Sequence, residues 1–511
     1  VFAIATLSHA YPVFFAVVAS TFFLFTGKKF KSNLIYLIKV YGLAFLLAAF
    51  WLVPMIAKST YSSIYHYVWN LGSINDVLPV TIQPLLALSA IAGVGLLIII
   101  FRQGRKADKK ITFFFYLIFI SLTLYALSPS IGVTDIRFIP FMQLFLVFPA
   151  AYGICILVDL IKRIPAMQFI SLVIVLVSVI YFVSQNSLYV QNWINWNYSG
   201  YESKPAWVQL NELTTYLRGL PAGRVVHEYS NTHDKFGTPR TFESIPLFSG
   251  KPVLEGLNIE SALTAPYVFV IQSEISVTPT CPIPGLVCSS FNVNSATAHL
   301  RQFNVRYVIA TTNELKAALK ANANYKFLKG FSEIEIYELL PYARSGYAAV
   351  AEYMPVLVHT NGNEWKSISF QWFKEGSQVP IVFSNDADPQ KFERVYDSFS
   401  SDMIKSLPKV AVDNCNIKED VQNEVVDLML DEGCIGKPII VRVPYFPNWK
   451  VVGADGIYLV SPAFMLIYPT QTTVKLYYSN TAVDYAGIIL TLVGIAAVAV
   501  LSVKLFVKPK S

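Results

Sequence analysis

The chain has 511 residues, of which 54% are hydrophobic and only 14% charged, with a formal net charge of +7. Water-soluble globular chains carry nearer a quarter charged residues, so a purely soluble protein is excluded. The basic excess is gathered in short loops between apolar runs, which marks a membrane topology rather than a nucleic-acid surface.

Seven segments approach the roughly 20 apolar residues needed to span a bilayer: 9–26, 34–57, 83–101, 111–127, 139–160, 165–184 and 484–506. Pro12 and Pro54 fall inside two of them, which membrane helices tolerate better than soluble ones. The chain opens at Val1, at the edge of an apolar run and without leader architecture. The expectation is a fragment whose N-terminal part lies upstream.

The connecting loops alternate in charge. Lys28, Lys29 and Lys31 follow the first segment, and Arg102, Arg105, Lys106, Lys109 and Lys110 the third. Lys162 and Arg163 follow the fifth, and Lys504, Lys508 and Lys510 close the chain. Loop 58–82 has only Lys58, and loop 128–138 only Arg137. Positive loops stay inside, which places loops 58–82 and 128–138 and the whole of 186–483 outside the cell membrane. Cys155 lies within a span, while Cys281, Cys288, Cys415 and Cys434 lie in the outer region. An even count in an exported region suggests two disulfides, and proximity favours Cys281 with Cys288 and Cys415 with Cys434. Four cysteines allow three connectivities, and a zinc site is a rival whose spacings fit no common pattern.

The expected domains are a bundle over 1–185, an α/β part over 186–342, a β-rich part over 343–483, and a final span with a basic tail over 484–511. The α/β part is read from helices at 207–217, 296–303 and 312–321 and strands at 223–229, 305–310 and 333–340, with Thr311 and Glu314 as a capping box. The β-rich part is read as a sandwich or jelly roll. Its expected strands are 367–373, 380–384, 438–443, 449–452, 457–460 and 472–478, with a helix near 389–406 and Asp455-Gly456 as a hairpin turn.

Several residues could carry chemistry. Loop 58–82 holds Tyr61, Tyr65, His66, Tyr67, Trp69, Asn75 and Asp76. It reads either as an interfacial aromatic belt or as a groove for a sugar or lipid headgroup in which His66 and Asp76 are the polar contacts. His9 stands at the outer end of the first segment, either solvated or facing a bundle cavity. Arg137 runs against the positive-inside bias; a phosphate is a natural partner for its guanidinium fork, and an ion pair with Asp135 or a lipid headgroup is the alternative. Residues 227–276 form the densest polar stretch, with His227, Glu228, His233, Arg240, Glu243, Glu255, Glu260, Gln272 and Glu274. Arg240 with Glu243, Glu255 and Glu260 could bind a sugar or do acid–base work, or could dock the domain as a hydrogen-bonded loop. Tyr445–Lys450 suits either sugar stacking or a strand-edge core. Asn197-Tyr198-Ser199 is a formal glycosylation sequon. No phosphate-binding glycine loop, serine elbow, HExxH or paired CxxC occurs.

Ser8–Pro12, Arg137–Phe141, Gly237–Glu243 through Glu260 with Gln272–Ser276, and Tyr445–Lys450 with Asp455-Gly456 together carry a resemblance that covers nearly the whole chain. It resembles the prokaryotic membrane proteins labelled "6-pyruvoyl-tetrahydropterin synthase-related", is similar to GT-C-type glycosyltransferases, and has a looser likeness to YfhO-type proteins. The resemblance implies sugar transfer from a polyprenyl-phosphate donor to a glycan acceptor on the outer face of the plasma membrane. It implies no nucleotide sugar, and a divalent cation beside the donor phosphate is compatible with it. The catalytic carboxylate of such enzymes sits in a first outer loop, expected upstream of this chain, so no residue here inherits that role. A glycan-binding scaffold is the second reading. A lipid transporter or flippase is the third, weakened by the absence of evident intramembrane charges and repeated halves.

Overall fold

A computed structural model describes the chain apart from residues 27–28, 64–70, 104–108, 132, 134, 162–164, 257–258, 260–261, 284–285, 342–345, 384–389, 391, 393, 401–406, 412–413 and 508–511. The side chains of 99–100, 102–103, 131, 161, 165–168, 182, 185–189 and 504–507 are also outside the description. His66, Glu260 and the aromatic residues Tyr65, Tyr67 and Trp69 therefore lie outside the described residues, as does half of the expected helix near 389–406; the described residues 394–400 correct that expectation, forming no helix and including the short strand Val395–Tyr396. Among the basic loop residues, Lys28, Arg105, Lys106, Lys162, Arg163, Lys508 and Lys510 also lie outside the described residues. The chain divides into two units, one made of Val1–Pro54, His66–Asn195 and Asp484–Ser511, the other of Met55–Tyr65 and Trp196–Val483.

Among the described residues, the secondary structure of the first unit is all helical. In chain order it contains α1 (Phe2–Ser8), α2 (Ala10–Ala19), α3 (Phe30–Ala57), α4 (Ile74–Val77), α5 (Gln83–Gln103), α6 (Lys109–Leu127), α7 (Ile139–Ile161), α8 (Pro165–Tyr198) and a final helix (Ala482–Val507). Four stretches are long and apolar enough to cross a membrane: Phe30–Ala57, Lys109–Ser130, Asp135–Leu160 and Ala482–Val503. Shorter apolar helices occupy Ala10–Phe25, Gln83–Ile98 and Phe169–Tyr181. α8 runs past the expected boundary at 185, because its polar and aromatic continuation keeps the helical backbone to Tyr198.

Without a hydrophobic drive between lipid-soluble helices, close packing through small residues holds them together. A Cβ on Gly153 of α7 would stand 2.1 Å from the Leu88 carbonyl oxygen of α5. Beside it Ala92 is fully buried, and the Ser89 hydroxyl donates to the Leu146 carbonyl at 3.1 Å. Gly487 of the final helix plays the same part against α3, where a Cβ would lie 2.6 Å from the Ala49 carbonyl oxygen. The Phe50 amide there donates to Thr491 Oγ1 at 2.9 Å. Gly153→Ala is expected to cost ~1–3 kcal/mol by forcing α5 and α7 apart. A detergent-unfolding titration reads this as a lower midpoint, and an unchanged midpoint would contradict the packing.

The second unit starts with a three-layer α/β arrangement. It contains α9 (Trp207–Gly219), β1 (Arg224–His227), α10 (Ile245–Ser249), α11 (Ala265–Ile275), α12 (Val293–Gln302), β2 (Val305–Ala310), α13 (Asn313–Ala321), β3 (Tyr325–Phe331) and β4 (Ile334–Leu339). The sheet order is β1-β2-β4-β3, with β1 and β2 parallel and the other pairings antiparallel. Alternation along the strands sends Val225, Tyr307 and Ile309 to a core with Leu210, Leu213 and Leu217 of α9. Val226 and Val308 go to the opposite core with Ile271 of α11 and Leu300 of α12.

The β-rich part contains β5 (Ala348–Val350), β6 (Val356–Val358), α14 (Glu364–Lys374), β7 (Ile381–Val382), β8 (Val395–Tyr396), β9 (Ile417–Val421) and β10 (Val425–Leu430). It continues with β11 (Ile439–Pro444), β12 (Trp449–Val452), β13 (Tyr458–Val460), β14 (Phe464–Ile467) and β15 (Thr473–Tyr478). One sheet runs β12-β15-β10-β9 and the other β5-β11-β14-β13-β7-β6-β8. Leu428, Leu476, Val441 and Met465 share a core drawn from both sheets, which is the sandwich arrangement.

Three further local expectations are corrected. Residues 367–373 belong to helix α14 rather than a strand. Asp455-Gly456 does not close a hairpin: β12 pairs with β15, whereas β13 pairs with β14 and β7 in the other sheet, so the turn carries the chain between sheets. The cap of α13 is Thr312, whose hydroxyl accepts from the Leu315 amide, rather than Thr311. Both expected disulfides, Cys281–Cys288 and Cys415–Cys434, are formed, and Cys155 is free.

Candidate functional site

Two groups of the expected site residues emerge, one in each unit. In the helical unit, three of them share one end of the bundle. His9 separates α1 from α2 and caps α2, its Nδ1 accepting from the Tyr11 amide at 3.3 Å. The Tyr11 ring meets Phe138 at 5.8 Å between centroids. Phe138 is fully buried beside Arg137, which is exposed in the 3-10 turn Asp135–Phe138 leading directly into α7.

Asp135 is buried and accepts from its neighbour's amide, Ile136, at 2.6 Å. It forms no ion pair with Arg137, whose side chain has no hydrogen-bond or ion-pair partner among the described residues. The positive end of the α7 backbone dipole lies in the same place. α4 completes this end: the Gln143 amide of α7 donates to the Val77 carbonyl at 2.6 Å, and Leu78 packs with Ile139, Met142 and Leu146. Asp76 is committed to the capping box of α4, accepting from the amides of Gly72 at 3.0 Å and Ser73 at 2.9 Å. α6 and α7 are antiparallel neighbours, so Lys109 and Lys110 at the start of α6 mark the opposite end.

In the second unit, Arg240, Glu243 and Glu255 are gathered around the carboxyl ends of the parallel strands β1 and β2, the place where open α/β sheets bind ligands. Arg240 Nε donates to Glu243 Oε1 across one turn. Among the described residues, the second Glu243 oxygen is buried without a hydrogen-bond partner, as is Nε2 of His227. Glu255 accepts from Gln272 Nε2 at 2.7 Å, and the same amide donates to the His227 carbonyl at 2.8 Å. Ser276 Oγ donates to Gln272 Oε1 at 3.1 Å and accepts from the Tyr229 amide at 2.8 Å.

Glu228, next to His227, is fully buried. It accepts from the Thr311 amide, from Thr311 Oγ1 at 2.6 Å, from the Thr312 amide at 2.6 Å and from Thr312 Oγ1 at 2.7 Å. His233 Nε2 lies 2.9 Å from Thr311 Oγ1. The sequence presents His227, Glu228 and Gln272 within a polar stretch but does not single them out. Their weight comes from partners up to 84 residues away.

Burial raises the Glu243 carboxyl above its ordinary value, against the pull of Arg240, with Glu255 adding to the rise. Burial likewise lowers His227. His233 is brought down to about 3 by burial, with His227 adding to the shift. A raised carboxyl beside a second carboxylate and an imidazole is the pattern acid–base chemistry uses. Here Glu243, Glu255 and His227 are all enclosed, and Arg240 is the member with substantial exposure. The network ties the 227–276 stretch to the sheet.

This gives an acid-stability signature. Between pH 6.5 and about 3 the unfolded chain binds a proton at His233 that the folded chain refuses. The contribution is complete above pH 6.5 and declines as pH falls, with a slope of up to ~1.4 kcal/mol per pH unit. His227 acts in the same direction. Glu243 opposes them, because its contribution is complete below pH 4.5 and is lost as pH rises through its raised folded value. The unfolding midpoint is expected to fall from pH 7 to pH 4, and His233→Asn to flatten that fall. A variant profile parallel to the wild type would refute this assignment.

The run Tyr445–Lys450 is part of the core and its edge. Asn448 is buried, accepting from the enclosed Lys58 ammonium at 2.6 Å and donating to the Ser479 carbonyl at 3.0 Å. Tyr61 packs on Tyr445 at 5.6 Å. Among the described residues, no group of three or more His, Cys, Asp or Glu side chains is placed to hold a metal ion.

Comparison with known proteins agrees with the helical unit. Residues 1–199 match the family described as "6-pyruvoyl-tetrahydropterin synthase related domain; membrane protein", so this part of the chain is similar to that family of membrane proteins. Residues 220–352 match a domain of unknown function, DUF8559. No curated protein matches the chain. Solved structures of the arabinofuranosyltransferase AftD from Mycobacteria, including a mutant form, align with it at 12% identity and a TM-score of 0.37. The alignments cover 91–92% of this chain and 43–45% of that one, so the chain spans less than half the length of those structures.

Proposed function

We propose that the protein acts in a GT-C-like membrane glycosyltransferase that takes its sugar from a polyprenyl-phosphate carrier at the outer face of the plasma membrane. The observation that carries this reading is Arg137. An exposed guanidinium at the N-terminal end of an apolar helix, next in the chain to the Phe138 on which Tyr11 packs, suits a phosphate held at headgroup depth by a planar fork of donors. The apolar helices around it offer a surface for the lipid chain.

In this reading all seven apolar segments cross the membrane. The end with Arg137 and the region 196–483 face outward, the lysine-bearing end faces the cytoplasm, and the acceptor is an envelope glycan. The basic loops support that orientation, and the two disulfides suit an exported domain. A second reading, a glycan-binding scaffold, draws support from the enclosure of Glu243 and Glu255.

Photolabelling tests the donor site. Membranes containing the protein are irradiated with a benzophenone-bearing polyprenyl phosphate, and the labelled peptides are mapped. Labels are expected in 9–26 and 128–145 and are expected to weaken in Arg137→Ala. Labelling confined to other segments would exclude Arg137 as the phosphate contact.

A further inference from the structure

The outward face of α3 carries charge that the helix packing does not use. Two polar side chains fix the inward face. Asn33 Nδ2 donates to the Phe23 and Thr26 carbonyls at 2.8 and 3.2 Å, and the Tyr41 hydroxyl donates to Ser20 Oγ at 2.6 Å. Ala48, on the same side, is fully buried. At 3.6 residues per turn, Lys31, Ile35 and Lys39 then form one row on the opposite side, with Ser32 next to it. All four are exposed, and with Tyr36 they line a shallow groove of about 530 Å³.

Neither lysine has a hydrogen-bond or ion-pair partner among the described residues, nor does the Tyr36 hydroxyl. α3 is long and apolar enough to cross a membrane, and Ile35, Tyr36 and Ile38 around the lysines are exposed. Lys39 stands just inside the apolar segment, about 12 Å beyond Lys31 along the axis. An ammonium group on such a surface calls for an anion. Helical side chains tilt towards the N-terminus, so Lys39 leans back towards Lys31, and its long stem carries the charge towards headgroup depth. The two ammonium groups thereby bracket a space that fits one phosphate. Further along the same face Gly42 leaves room for a lipid chain, since a Cβ there would meet nothing within 4 Å.

We propose that this face of α3 binds an anionic phospholipid, with Lys31 and Lys39 on its phosphate, the Tyr36 hydroxyl as a further donor and a chain lying over Ile35 and Gly42. A zwitterionic headgroup carries its own cation and gains less from two lysines. A phosphoglycerol headgroup has none and takes the full interaction. The inference does not rest on the transferase reading above.

The test is native mass spectrometry of the full chain in a non-ionic detergent, titrated separately with phosphatidylglycerol and phosphatidylcholine of the same chain length. Phosphatidylglycerol is expected to bind about tenfold more tightly than phosphatidylcholine. The double variant Lys31→Gln with Lys39→Gln is expected to lose that preference, and its unfolding midpoint is expected to stay unchanged because both side chains are exposed. Lys109→Gln with Lys110→Gln removes the same charge from the start of α6 and is expected to keep the preference. Glycerol 3-phosphate in large excess is expected not to displace the lipid, because it has no chain to lie on the helix. The proposal is overturned if the wild type binds both lipids equally, if the α3 double variant keeps the preference, or if the α6 variant loses it equally. Displacement by glycerol 3-phosphate would also overturn it, because the face would then hold a free phosphate rather than a lipid.

Discussion

Glu228→Ala is expected to destabilise the Trp196–Val483 unit by ~3–5 kcal/mol, the range for removing a buried charge and leaving its donors unpaired. The carboxylate is fully buried and receives two backbone amides and two hydroxyls from Thr311 and Thr312. Thr312 is also the cap of α13, so the negative charge sits at the positive end of that helix. One side chain thereby joins the end of β1 to the start of α13 across the sheet. Alanine removes all four acceptances and leaves two backbone amides without their acceptor. Glu228→Gln keeps acceptor capacity and should lose less. Pulse proteolysis across a urea series in membranes measures the difference, and an unchanged midpoint for the alanine variant would show that the network does not hold the fold.

Arg137→Ala is expected to lower sugar transfer on the order of 100-fold, the loss that ~2–3 kcal/mol of charge-assisted hydrogen bonding represents. The side chain is exposed at the head of α7, and Asp135 does not pair with it, so its removal leaves no buried charge behind and the bundle should fold normally. Arg137→Lys retains the charge and loses the two-pronged geometry, and should fall between the two. Equal transfer by all three proteins at matched expression would remove Arg137 from the donor site.

How much of this could be read from the residues varies with the range of the interactions. The apolar helices were legible because length and composition determine them locally, and β2 and β12 because their bounds follow compact runs. α14 was misread because Ile368, Phe370 and Trp372 alternate like a strand. The buried set Trp365, Ser369, Phe370, Trp372 and Phe373 follows the i, i+4, i+7 and i+8 spacing of a helix face, with Phe370 beside it. β14 is buried at every position, so it offers no alternation to detect. Without it Asp455-Gly456 looks like a hairpin between neighbours.

The site shows the same division. Arg240 and Glu243, three residues apart, could be paired by inspection. Glu255 with Gln272 and Glu228 with Thr311 are 17 and 83 residues apart and meet only once the sheet is assembled. The convergence of His9 and Arg137 through Tyr11 and Phe138 likewise depends on helix packing.

The most direct test of the central claim is a transfer assay in membranes that contain the protein expressed from its full reading frame, supplied with radiolabelled polyprenyl-phosphate sugars. The account predicts label moving into an envelope glycan on the outer face, with little movement in the Arg137→Ala membranes. Folded wild-type protein that transfers label from none of the donors would contradict the transferase reading and favour a glycan-binding scaffold.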